Sequence, residues 1–137
     1  MNTVEDQKVN LKIQTKIRQA EDELVIAIQN ALDKKESYGK LDDSQFRNLV
    51  RVATTTDSPE VIKNFLRYQV GREENKWGKG KGSLAENIIK DIDNHLKEKA
   101  EAIAKETSAE NMKEIWIELI RRYLGYGARH LKYLKPD

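Results

Sequence analysis

The sequence predicts an all-α protein, an antiparallel bundle of about five helices in a single domain. Three observations predict it. Apolar residues recur at steps of three and four along the chain. Helix-opening pairs stand where new stripes begin: Asp42 with Gln45, Ser83 with Glu86, and Thr107 with Glu110. No stretch alternates as a strand does, and the two prolines fit long helices.

The first helix is expected from about Val9 to Lys34, with Val9, Ile13, Ile17, Ala20, Leu24, Ile28, Ala31 and Leu32 as its stripe. At 1.5 Å per residue it would be roughly 40 Å long. Ser37-Tyr38-Gly39 breaks it. The second helix opens at Asp42, buries Phe46, Leu49, Val50 and Ala53, and ends at Thr54-Thr55-Thr56. Ser58 caps the third, with Pro59 in the first turn, where a missing N–H costs nothing. Its stripe is Val61, Ile62, Phe65, Leu66, Gln69 and Val70, and Gly71 closes it. Residues 71–83 form a Gly/Lys-rich stretch, expected as a flexible loop because it has little apolar surface to bury. Ser83 opens the fourth helix, with Leu84, Ile88, Ile89, Ile92, Leu96, Ala100 and Ile103 inward. The fifth carries Met112, Ile115, Trp116, Leu119, Ile120, Tyr123, Leu124, Ala128 and Leu131, and stops at Pro136.

The 137 residues suffice for one domain with a real core. Charged residues are 35% of the chain, above the usual ~25%. Cysteine is absent, which excludes disulfides and thiolate chemistry and suits a reducing cytoplasm. No apolar run is long enough to span a membrane, and no basic-then-apolar leader opens the chain. Formal net charge is only +2, so bulk basicity is no argument for nucleic acid. Its distribution says more: residues 1–40 are net 0, 41–82 net +2, 83–120 net −4 and 121–137 net +4. That reads either as solvated helix faces or as a two-faced molecule able to stack on copies of itself.

No reaction is specified. The two histidines, His95 and His130, lie in no H-E-x-x-H or Glu-x-x-His pattern. Asp91 and His95, four apart, read as a solvated surface pair. Gly78-Lys79-Gly80-Lys81-Gly82 lacks phosphate-loop spacing. No catalytic residue, metal site or cofactor is expected.

Three cationic groups are candidates for RNA. Arg47 and Arg51 are four apart on the second helix, and Lys63 and Arg67 repeat that spacing on the third. Two short helices joined by a tight turn would hold all four on one surface, where arginine's planar fork suits phosphate. The competing reading is salt bridging with Asp43, Asp57 or Glu60. The 71–83 stretch offers Arg72, Lys76, Lys79 and Lys81 with Trp77 as a stacking surface for an unpaired base. Its alternative is a linker with Trp77 folded back onto the bundle. On the last helix Tyr126, Arg129, His130 and Tyr133 share a face, which suits single strands or a protein interface. Gly125 and Gly127, each costing roughly 1 kcal/mol against alanine in a helix, imply a close approach or fraying.

Two segments resemble a known family. Leu41-Asp42-Asp43-Ser44-Gln45-Phe46-Arg47-Asn48-Leu49-Val50 is similar to the Ser-Gln-apolar-Arg helix opening of the small all-helical subunit of type III CRISPR ribonucleoprotein complexes, the Csm-type small-subunit family. Arg122-Tyr123-Leu124-Gly125-Tyr126-Gly127-Ala128-Arg129-His130 resembles that family's closing helix. The glycine-rich 71–83 stretch and the paired glycines depart from its pattern. The resemblance implies a non-catalytic antiviral-defence protein whose copies stack head to tail beside backbone and large subunits. It implies a basic groove for the guide–target RNA duplex, with Arg47 lining it by matched position. Arg51 follows from the neighbouring turn, and Arg129 belongs to the closing motif. The competing expectation is a helical protein–protein adaptor that binds no nucleic acid. A small enzyme is disfavoured.

Overall fold

The computed structural model describes residues 3–136 and is all-α, with no strand among them. The elements are α1 (Val4–Gln19), α2 (Glu21–Asp33), a 3₁₀ turn (Lys35–Ser37), α3 (Asp43–Thr55), α4 (Pro59–Arg72), α5 (Glu74–Trp77), α6 (Leu84–Lys90), a π-helical segment (Asp91–Leu96), α7 (Lys97–Thr107) and α8 (Met112–Leu134). The central element is α8: α2, α3 and α7 all pack along it. Outside these, α4 leans on α3 and α6, and α1 lies on α7. One continuous core includes Leu24, Ile28, Phe46, Leu49, Leu66, Ile88, Ile92, Trp116, Leu119 and Ile120. Phe65, expected inside, is only partly buried at its edge.

The expected first helix is two. The chain turns at Ala20 (φ −89°, ψ −6°), whose N–H bonds the Lys16 and Ile17 carbonyls at 3.1 and 3.0 Å. The turn lets α1 face α7 while α2 faces α8 and α6. The helix also starts earlier than Val9. Thr3 Oγ1 accepts from Asp6 N–H and Asp6 accepts from Thr3 N–H, both at 3.1 Å, a capping box written with Asp.

Other signals held. Asp42 and Gln45 form their reciprocal box, and Ser58 caps α4 with Pro59 behind it. Ser83 accepts from Glu86 N–H at 3.2 Å. The Thr107–Glu110 pair does not cap α8. Thr107 is the buried last residue of α7, and its hydroxyl donates to the Ile103 carbonyl at 2.7 Å. Ser108 then turns left-handed at φ 58°, and Asn111 caps α8 through Glu114 N–H.

Residues 71–83 correct the loop expectation in part. Gly71 lies inside α4, and α5 adds a turn of helix ending at Trp77. Only 79–82 projects as an exposed turn. Trp77 is 0% exposed and stacks on Phe46, ring centroids 6.0 Å apart. Gly78, at φ 78°, stands where a Cβ would run into the Ser37 carbonyl, so the strap lies tight against the 3₁₀ turn. Gly127 marks a second close approach. A Cβ there would sit 2.7 Å from both Ile28 and Phe46, so α2, α3 and α8 converge on the missing side chain. Gly125 faces open space.

Candidate nucleic-acid interface

Two cations, Arg121 in α8 and Lys135 just past its end, tie down the C-terminus of α3 and the segment that leads into it. Arg121 Nε donates to the Ala53 carbonyl at 2.8 Å, and its Nη2 donates to the Thr56 carbonyl at 2.9 Å, closing the helix C-terminus. Lys135 Nζ donates to the Gly39 and Leu41 carbonyls at 3.2 Å and lies over the Tyr38 ring. So α3 runs antiparallel to α8. Phe46, Leu49 and Ala53 point into the core, which turns Arg47 and Arg51 outward. Sequence periodicity marked neither clamp, because both bonds go to backbone carbonyls more than sixty residues away.

The two arginines are exposed and only lightly engaged. Arg47 Nε is 3.3 Å from Asp43, and Arg51 donates to Asn48 at 3.2 Å. Surface pairs of this kind contribute about 0–1 kcal/mol, so a phosphate can displace them. Arg47 also edges an open cleft of about 610 Å³ with Lys40, Asp42, Ser44, Lys135 and Pro136. Asp42 is held below the usual carboxylate range, chiefly by the Ser44 hydroxyl and then by Gln45 N–H. Arg129, on the neighbouring α8, is exposed and has no partner among the described residues.

Of the remaining candidates, Lys76 lies near enough to Asp42, at the Arg47 cleft, for its charge to help lower that carboxyl, and the others are placed differently. Lys63 is 7% exposed and bonds Asp93 at 2.6 Å and Glu60 at 2.7 Å. Burial pulls its pKa down, but hydrogen bonds and charge from the two carboxylates outweigh that and raise it. It is a structural ion pair rather than a phosphate contact. Arg67, one turn on from Lys63 along α4, is exposed. Of the four cations, Lys63 is thus taken up by carboxylates while Arg47, Arg51 and Arg67 face solvent. Trp77 cannot stack on a base while it fills the core. Lys76 and Lys79 sit 3.8 and 3.5 Å from Glu73 and Glu74, while Lys81 is exposed without a partner among the described residues. Arg72 lies over the exposed Tyr68 ring at 5.6 Å, an aromatic–basic pair that no motif marks in the sequence.

On the closing helix, Tyr126 turns toward Glu21, and His130 bonds Asp33 at 2.7 Å. Only Tyr133, 77% exposed and stacked on His130, is displayed with Arg129. At the opposite end of α8, roughly 34 Å away by helical rise, Glu110, Glu114 and Asp6 surround a cleft floored by Val9, Ile13 and Ile115. The two ends of α8 thus carry opposite charge.

Asp91 is not the solvated partner of His95 that its spacing suggested. The buried Tyr123 hydroxyl donates to its Oδ2 at 2.6 Å. Burial raises the Asp91 pKa, partly countered by that bond and by His95 and Lys34. Among the described residues no three His, Cys, Asp or Glu side chains converge as a metal-ligand set, and no helix is long and apolar enough to cross a membrane. No protein-family model matches the chain, and comparisons with curated proteins and with solved structures return no match.

Proposed function

We propose that this protein is a non-catalytic RNA-binding structural subunit of a type III CRISPR ribonucleoprotein effector. The observation that carries the reading is the outward, lightly engaged pair Arg47 and Arg51 on α3, packed against α8, which displays Arg129 without a partner among the described residues. Arg47 lies in the family-like opening segment and Arg129 in the closing one. The oppositely charged ends of α8 support head-to-tail stacking of copies, a heterologous contact that can propagate. The exposed Val61 and Tyr68 on α4 suit a backbone or large subunit.

Three arginines facing a single strand give a slope of about −2 in log affinity against log salt. Isolated affinity is then micromolar or weaker at physiological salt, and useful retention comes from several copies side by side. The test is fluorescence anisotropy with single-stranded RNA at two salt concentrations. Arg47→Glu with Arg51→Glu is expected to abolish binding while the helical circular dichroism spectrum stays intact. Absence of RNA binding by the wild type at low salt, alone and with its neighbouring subunits, would replace this reading with the adaptor.

A further inference from the structure

The π-helical segment Asp91–Leu96 interrupts an otherwise α-helical rod from Leu84 to Thr107. Such insertions give up regular hydrogen bonding and concentrate at functional sites. This one is tied down from below by two buried rings of α8. Trp116 Nε1 donates to the Ile92 carbonyl at 2.8 Å, and the Tyr123 hydroxyl donates to Asp91 Oδ2 at 2.6 Å. The outer side of the segment faces α2 across an open cleft of about 660 Å³. Ala27 and Ala31 make the room.

The lining is specific. Asp91 Oδ1 has no hydrogen-bond partner among the described residues, so the carboxylate is fixed by one oxygen and presents the other. Asn30 and Asn94 add exposed amides from the two walls, each a donor and an acceptor without a partner among the described residues. Lys34 and Lys90 stand at one end. Glu23 closes the other, engaged with Lys99 at 3.1 Å and facing His95 at 3.9 Å. Ile26, 56% exposed, offers an apolar surface at the mouth.

We propose that this cleft binds a nucleotide whose base edge sets an exocyclic amine beside a ring-nitrogen acceptor, as adenine and cytosine do. Asp91 Oδ1 accepts from the amine, as carboxylates accept from cytosine N4, and Asn30 or Asn94 reads the adjoining edge, as asparagine reads adenine. Ile26 covers the base, and Lys34 with Lys90 neutralises the phosphate. The ligand is either a free nucleotide or one residue of an RNA strand. The cleft shares no residue with the Arg47–Arg51 surface, so the inference stands apart from the proposed function.

The experiment is backbone-amide NMR titration with AMP, CMP and UMP, followed by a short adenylate oligonucleotide. AMP and CMP are expected to shift resonances of α2 and the π segment, with UMP about tenfold weaker. Tighter binding of the oligonucleotide than of AMP assigns an RNA strand, and equal binding assigns a free nucleotide. Asp91→Asn keeps an acceptor for Tyr123 but replaces the free oxygen with an amide, so the fold holds and preference swings toward UMP. Lys90→Ala weakens AMP but leaves adenosine unchanged. Arg47→Glu with Arg51→Glu leaves mononucleotide binding as it was. Shifts confined to other helices, equal binding of AMP and UMP, or an Asp91→Asn protein with wild-type preference would each overturn the assignment.

Discussion

Gly125 and Gly127 sit two residues apart in α8 and do opposite things. A Cβ at Gly127 would press on Ile28 and Phe46 at 2.7 Å. Overpacking of this kind costs about 1–3 kcal/mol, so Gly127→Ala is expected to lower the unfolding free energy by that amount, read as a drop in the urea midpoint. Gly125 has nothing within 4 Å of a built Cβ, and Gly125→Ala is expected to stabilise by about 1 kcal/mol through helix propensity alone. Equal effects in the two melts would show that the three-helix convergence is looser than described. Asp91 gives a pH test at the same scale. Its carboxyl is raised above 3.8 in the folded protein, chiefly by burial. Between that value and its folded pKa the native state holds a proton that the unfolded chain has lost. This group's contribution to stability therefore falls as pH rises through the window. Asp91→Asn removes the slope, and the difference between the variant and wild-type melting temperatures should widen from acid pH toward neutral. The sequence showed the glycine pair and the Asp91–His95 spacing. It could not show that one glycine meets two side chains from other helices, or that Asp91 lies against a tyrosine thirty-two residues away.

Helices were legible because stripes and caps are local. Asp42–Gln45 and Ser58–Pro59 closed as written, since every atom they need lies within four residues. The misreadings have a common cause, which is that the deciding partner is distant. The stripe from Val9 to Leu32 is continuous as a pattern, but its halves face different neighbours, and the chain turns at Ala20 to satisfy both. Thr107 and Glu110 had cap spacing, yet burial of Thr107 extended α7 through it. Lys63 and Arg67 have the spacing of one helix face, but Asp93 takes up Lys63 while Arg67 faces solvent. The 71–83 segment read as flexible from its glycines and lysines. Its one large apolar residue outweighed them, since burying a tryptophan removes roughly 150–250 Å² from contact with water. The exposed turn at 79–82 and the pinned α5 predict ordered proteolysis. Trypsin should cut after Lys79 and Lys81 first, and after Arg72 and Lys76 only as the fold opens. Equal rates at all four bonds would mean that Trp77 does not hold the strap.

For the whole molecule the near-neutral sum conceals a dipole laid along α8, acid at its first turns and basic at its last. Head-to-tail association is expected to strengthen as salt is lowered, and sedimentation velocity would register it. Glu110→Lys with Glu114→Lys should suppress it, while the melting temperature changes little because both side chains are exposed. Association that ignores salt would point instead to the apolar stripe on α4.

The chain carries two tryptophans, and their indoles live in different worlds. Trp77 is sealed, with an N–H that has no partner among the described residues. Trp116 donates to the π segment and has Lys97 over its ring at 5.3 Å. Intrinsic fluorescence therefore holds two reporters that can be separated by replacing either with phenylalanine. One reads the lifting of the 71–83 strap, and the other reads movement of the rod behind the cleft between α2 and the π segment, so both events can be timed in the same cuvette without a label.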